Sequence, residues 1–225
     1  MATERLLVPL TLKELNLPDN IVAAAVYVEG GETSHAAIII RHDGNTRVLH
    51  FLKNVLLELP DEAIDQGIFI FIKNLDFISP SLVPSFLAHC ELIQKEAKPK
   101  FGFFYDARSF YGAGGKYRNP GEFPEYMTCV GFCLTVIQSY LAKEEFLQYA
   151  DWDQTSYDLS EDYMIKQMLK LQQEFPHLTP EDIQKNVRRI KPIEYFSGAY
   201  GSSRPVPKVF TDKMSEKLIG EINVY

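Results

Sequence analysis

The chain has 225 residues, enough for one domain with a sizeable core, and 46% of them are hydrophobic. Its formal net charge is −7 and no block of lysine and arginine forms a basic face, so we expect no nucleic-acid partner. No apolar run approaches the ~20 residues of a transmembrane segment, the N-terminus lacks a signal-peptide pattern, and three cysteines are too few for a disulfide framework. We therefore expect a cytoplasmic protein, unless another route delivers it outside the cell.

The first third of the sequence is typical of β-structure. Apolar, β-branched runs cover residues 21–28, 35–40, 47–51 and 67–73. The second and third runs are separated by His42-Asp43-Gly44-Asn45, and Asp-Gly between apolar runs is a strong signal for a β-hairpin.

The middle of the chain changes to helices and one glycine-rich loop. Ser79-Pro80 is typical of a helix start, and an extended stretch is expected over 101–108. Residues 111–124 read as a loop, and residues 128–143 have the apolar spacing of a helix.

The last third is predicted to be helical over 160–175, after Thr179-Pro180, and over 211–222, with a loop at 197–203. We therefore divide the chain into a core at 1–144 and a helical extension at 145–225. We expect this extension, or the loop at 197–204, to cover or border the groove near Cys129.

Cys129 is placed at the start of the predicted helix, directly after the glycine-rich loop. The partial positive charge of a helix N-terminus favours a thiolate, and free backbone N–H groups there can stabilise an oxyanion. The alternative is that Cys129 is a small buried apolar residue, which is how we interpret Cys90 and Cys133.

His35 begins one strand of the predicted hairpin and His50 ends the next, so the two imidazoles are expected to lie close together. A nucleophilic thiol needs a base within hydrogen-bonding distance, and that base benefits from an orienting group. The alternative is a pair of structural histidines.

The histidine hairpin, Ser34-His35-Ala36-Ala37 to Val48-Leu49-His50-Phe51, resembles that of circularly permuted NlpC/P60 proteins, nearest to the lecithin:retinol acyltransferase-like group. The segment Thr128-Cys129-Val130-Gly131-Phe132 resembles the cysteine helix of the wider superfamily, although Val130 replaces its usual polar residue. The loop Tyr111-Gly112-Ala113-Gly114-Gly115 resembles the one that precedes this cysteine in unpermuted members. The resemblance covers about residues 22–142.

This resemblance implies an α+β, papain-like permuted fold with an antiparallel sheet packed on the cysteine-bearing helix. It implies Cys129 as nucleophile, His35 as base and His50 as the residue that orients the base. Tyr111 is a candidate to support the oxyanion or the substrate, with Tyr117 and Asn119 as competitors for that role.

The implied activity is that of a cysteine amidase, peptidase or acyltransferase acting on a peptide-like or lipid-like amide or ester through a thioester intermediate. Two alternatives stay open. The first is a binding module that kept the fold and lost the activity. The second is a protein that binds zinc or copper through His35, His50 and Cys129. We predict no cofactor and no bound metal.

Overall fold

The computed structural model describes residues 7–10, 17–60, 69–141, 144–152 and 161–223. It confirms an α+β protein with an antiparallel sheet. The strands are β1 (Val8–Leu10), β2 (Ile21–Glu29), β3 (Glu32–His42), β4 (Asn45–Phe51), β5 (Val55–Glu58), β6 (Phe69–Asn74), β7 (Lys100–Phe101), β8 (Phe110–Tyr111), β9 (Tyr117–Arg118) and β10 (Tyr126–Met127). The helices are α1 (Val83–Glu96), α2 (Cys129–Tyr140), α3 (Glu161–Glu174), α4 (Pro180–Lys185), α5 (Pro192–Gly198) and α6 (Lys208–Ile222).

The main sheet has the strand order β1-β6-β2-β3-β4-β5, with antiparallel neighbours throughout. The predicted hairpin between β3 and β4 is confirmed. Its turn contains Asp43 at φ 48° and Gly44 at φ 73°. A two-residue turn of this kind needs positive φ at both central residues, which Asp-Gly tolerates better than other pairs.

Successive side chains alternate between the two faces of this sheet. One face carries Ala36, Ile38, Leu49 and Phe51, which belong to the same core as helices α1, α2, α5 and α6. We call it the helix face. The opposite face carries a smaller apolar cluster, and we call it the far face. That cluster contains Ala23, Ala25, Tyr27, Ala37, Ile39, Val48, Ile70 and Ile72.

Several elements differ from the expectations. Strands β1 and β5 were not predicted. Of the stretch at 101–108, only Phe101 lies in a named strand, β7. The loop at 111–124 carries the antiparallel pair β8–β9. Helix α5 was not predicted, and it includes Ser197 and Gly198 of the expected loop at 197–203. Its residues are buried against β2 and β3, and this packing stabilises the helix.

The segment after residue 145 packs into the main core. Phe146, Tyr195 and Leu218 are buried in the same cluster as the sheet and α2. Among the described residues, no helix combines the length and the apolar character needed to cross a membrane.

Candidate active site

Cys129 is the first residue of helix α2, as its sequence context predicts. Thr128 is the N-cap: its backbone is extended, and its hydroxyl oxygen accepts a hydrogen bond from the Gly131 N–H at 3.1 Å. Cys129 is partly accessible, whereas Cys90 and Cys133 are buried. Of the three thiols, Cys129 alone is therefore positioned to meet a ligand.

Burial is the strongest influence on the Cys129 thiol and raises its pKa above the ordinary value. The backbone N–H groups of Ala36, Val130 and Cys129 itself are directed at the sulfur and oppose this rise. The thiol is therefore neutral near pH 7. It lies against backbone N–H groups whose hydrogen bonds to the sulfur would be stronger if the sulfur carried a negative charge.

His35 and His50 form a hydrogen-bonded pair on the far face. Nε2 of His35 lies 3.1 Å from Nδ1 of His50, and Nε2 of His50 lies 2.9 Å from Oε1 of Glu58. The register explains this arrangement, because Ala37 pairs with His50 in β4 and Val48 pairs with Glu58 in β5. We call the series His35, His50 and Glu58 the imidazole relay.

The pKa of His35 is lowered to about 3, chiefly by burial and in smaller part by the neighbouring His50. Burial also lowers the pKa of His50, although the Glu58 carboxylate opposes that shift. Both imidazoles are therefore neutral at physiological pH, and each carries a single N–H.

The relay fixes which nitrogen of each ring carries the proton. A carboxylate only accepts hydrogen bonds, so Nε2 of His50 carries the proton and donates it to Glu58. Nδ1 of His50 is then an acceptor, and Nε2 of His35 must donate to it. Nδ1 of His35 is left with an unshared lone pair, the form that a general base requires.

In the described structure no hydrogen bond joins the side chains of Cys129 and His35, so the expected pairing of the thiol with its base stays a prediction. Phe51 contacts Phe132 of α2 at a ring distance of 6.0 Å, so the neighbouring His50 points to the far face. The thiol nevertheless touches the backbone of Ala36, the residue after His35. The hydrogen-bonded pairing of β3 with β4 starts at Ala37. The Cys129 sulfur therefore contacts β3 just outside the paired region, where β3 and β4 separate.

The hydroxyl groups of Tyr111 and Tyr117 are engaged away from the thiol. Tyr111 is buried and donates to Glu125 at 2.9 Å, while Tyr117 shares a hydrogen bond of 2.7 Å with Ser109. Asn119 binds Ser109 at 2.8 Å and organises the same loop through Gly121 and other backbone groups. A role for these residues in oxyanion binding stays a prediction.

Sequence reasoning missed two residues of the site. Glu58 was missed because β5 was not predicted, although the apolar run that ends at Glu58 follows β4 closely enough to form a hairpin. Tyr195 was missed because α5 was not predicted. The Tyr195 hydroxyl donates to the Ala37 carbonyl at 3.1 Å. It also forms a hydrogen bond with the thiol of Cys133. Burial raises the pKa of that thiol, and the hydrogen bond partly opposes the rise.

The expected position of the loop at 197–204 beside the Cys129 groove stays a prediction. With Asp76, Phe77 and Glu144 the loop lines a cavity of about 450 Å³ to which Cys129 does not contribute. Within the described ranges, no group of three or more histidine, cysteine or acidic side chains is arranged to hold a metal ion. Metal binding by His35, His50 and Cys129 therefore has no geometric support.

Comparison of the chain with protein-family models, with curated proteins and with solved structures gave no match. The resemblance to permuted NlpC/P60 proteins thus depends on the sequence motifs alone.

Proposed function

We propose that this protein is a cysteine-dependent hydrolase or acyltransferase with a papain-like, circularly permuted NlpC/P60 core. The observation that supports it best is the imidazole relay, which ends in a free lone pair on Nδ1 of His35. That residue is adjacent in the chain to Ala36, whose N–H is directed at the Cys129 thiol.

In the proposed reaction, Cys129 Sγ attacks the carbonyl carbon of an amide or ester and its proton passes to Nδ1 of His35. The oxyanion accepts hydrogen bonds from backbone N–H groups at the start of α2 and from Ala36. When the C–N or C–O bond breaks, the leaving amine or alcohol takes the proton from His35. Water or an acceptor then attacks the thioester, which releases the acyl group and restores the thiol. The substrate is peptide-like or lipid-like.

His35 lies on the far face and Cys129 packs with the helix face, so the His35 side chain must turn towards α2 for this step, and two features favour that movement. The sulfur already contacts the chain next to His35, and a β-bulge between β2 and β3 precedes His35 and interrupts the regular register there. Bulges next to active sites change the direction of side chains. Hydrogen bonds of catalytic groups also tighten when substrate binds.

The test is the rate at which each thiol reacts with iodoacetamide near pH 7, read by peptide mass spectrometry. Cys129 is expected to react selectively, and His35→Ala is expected to slow its reaction on the order of a hundredfold, the lower end of the ~10²–10⁴-fold contribution of a positioned general base. His42→Ala is the matched control, because His42 is bonded to Asn20 at the hairpin turn and is expected to leave the rate unchanged.

A binding module on the same fold is the second candidate, and one observation favours it: the thiol has a raised pKa and no hydrogen bond to an imidazole. If His35→Ala and His42→Ala label Cys129 as fast as the natural sequence, the relay is structural and the binding function is the correct one.

A further inference from the structure

The hydroxyl group of Tyr27 is buried without a hydrogen-bond partner. Tyr27 is only 5% exposed, and no described residue accepts from or donates to its oxygen. The other buried tyrosines all have partners. These pairs are Tyr105 with Gln138, Tyr111 with Glu125, Tyr126 with Glu174, Tyr149 with the Tyr105 carbonyl, and Tyr195 with the Ala37 carbonyl. A buried polar group left unpaired costs free energy, so its retention calls for a functional explanation.

Tyr27 packs directly against the imidazole relay. It is paired with His35 across strands β2 and β3 and lies on the far face with both imidazoles. Its ring centroid is 5.2 Å from that of His35, edge to face, and 6.1 Å from that of His50, in a stacked arrangement. The unpaired hydroxyl therefore belongs to the ring cluster that holds the proposed base.

The surroundings of Tyr27 determine which ligand atom fits its hydroxyl. Burial and the nearby Glu58 carboxylate raise the pKa of Tyr27, so the hydroxyl keeps its proton and donates. The same carboxylate disfavours an anionic partner. The adjoining side chains on this face include Ala25, Ala37 and Ile70, which offer no acceptor. A neutral oxygen with an available lone pair is the partner that satisfies these conditions.

We propose that Tyr27 donates a hydrogen bond to a neutral carbonyl oxygen of the acyl substrate and is thus a substrate-binding residue of this site. The inference rests on the proposed function, and it narrows the substrate to an acyl compound whose recognised carbonyl is uncharged. Tyr27 is absent from the roles that the sequence motifs imply.

Two measurements on Tyr27→Phe test this proposal. The control is Tyr105→Phe, which also removes a buried tyrosine hydroxyl, but one that forms a hydrogen bond. The first is thermal unfolding of the free protein. Tyr27→Phe is expected to melt at the same temperature as the natural sequence or higher, because no hydrogen bond is lost. Tyr105→Phe is expected to melt lower, because its hydroxyl bonds to Gln138 at 3.1 Å.

The second measurement compares two reagents for Cys129. Acylation by N-acetylglycine p-nitrophenyl ester brings a second, uncharged carbonyl beside the one that Cys129 attacks and releases p-nitrophenolate, whereas methyl methanethiosulfonate forms a disulfide without any carbonyl. Tyr27→Phe is expected to slow acylation about threefold to tenfold, the effect of one neutral hydrogen bond, and to leave disulfide formation unchanged.

Unchanged acylation, or an equal loss with both reagents, would overturn the assignment, as would a melting temperature lowered as far as in Tyr105→Phe. Failure of the proposed function has a different signature. In that case N-acetylglycine p-nitrophenyl ester acylates Cys129 of the natural sequence no faster than it acylates Cys129 of His35→Ala, and the carbonyl assignment falls with it.

Discussion

Glu58 is the residue through which the imidazole relay can be perturbed without touching either histidine or the thiol. Its carboxylate accepts the hydrogen bond from Nε2 of His50 at 2.9 Å. Glu58→Leu removes that acceptor and leaves a ring N–H without a partner. Glu58→Gln keeps an oxygen acceptor at the same place and removes only the charge.

The size of the effect follows from burial. His50 is only 2% exposed, so water cannot replace Glu58 as the partner of its N–H. A buried N–H left without a partner costs ~1–3 kcal/mol of stability. The Glu58 side chain is 20% exposed, which places the expected cost in the lower half of that range. His50 can avoid the cost by moving its proton to Nδ1, which forces His35 to place its own proton on Nδ1. The base is then lost, and a bias of ~1.4 kcal/mol reduces the reactive form about tenfold.

The assay has two parts. Nitrogen-15 NMR of the histidine rings reports the tautomers, and we expect Nε2–H for both rings in the natural sequence and in Glu58→Gln. In Glu58→Leu we expect the Nδ1–H form of His35, together with about tenfold slower alkylation of Cys129. Glu29→Leu, at an exposed site at the end of β2, is the control and should change neither quantity. The reasoning is refuted if folded Glu58→Leu keeps the natural tautomers, or if it shifts them while Cys129 reacts at its full rate.

Two further outcomes concern pH and the cysteines. Because folding lowers the pKa of His35 from about 6.5 to about 3, the unfolded state binds more protons between these values; stability is therefore lost as pH falls below 6.5, at ~1.4 kcal/mol per pH unit. Urea unfolding at pH 7 and pH 5 should show this loss, and a His35→Gln variant should show less of it; an equal loss in both would remove His35 as the cause. Cys129→Ser is expected to fold normally without acyl transfer, whereas Cys133→Ala, at a fully buried position, should lose on the order of 1 kcal/mol in the same unfolding assay. The opposite pattern would mean that the two cysteines have exchanged roles.

The β3–β4 hairpin and the cysteine helix could be predicted because their signals are local. Asp43-Gly44 sets the β3–β4 turn, and Thr128 caps α2 within three residues of chain. Helix α5 could not be predicted in this way. It spans seven residues after Lys191, and burial against β2 and β3 stabilises it rather than a periodic pattern long enough to recognise.

The candidate site shows the same division. The proximity of His35 and His50 follows from a hairpin register, so the sequence is sufficient to expect it. The position of the thiol relative to His35 depends on how α2 packs across the sheet, and no local spacing encodes that packing. The role of Glu58 could be predicted only if β5 was recognised, and β5 is a strand of just four residues at the edge of the sheet.

The hydrogen bond from Tyr195 to the Ala37 carbonyl has a consequence for the order in which the protein is made. Strand β3 and helix α2 are complete once residue 140 has been synthesised, yet the strand backbone beside the thiol is bonded to a side chain that emerges 55 residues later. During translation the thiol and the imidazoles therefore leave the ribosome before the group that supports them. The arrangement of the site is complete only once Tyr195 has been synthesised, so a polypeptide interrupted before residue 195 carries the thiol and the imidazoles without this hydrogen bond.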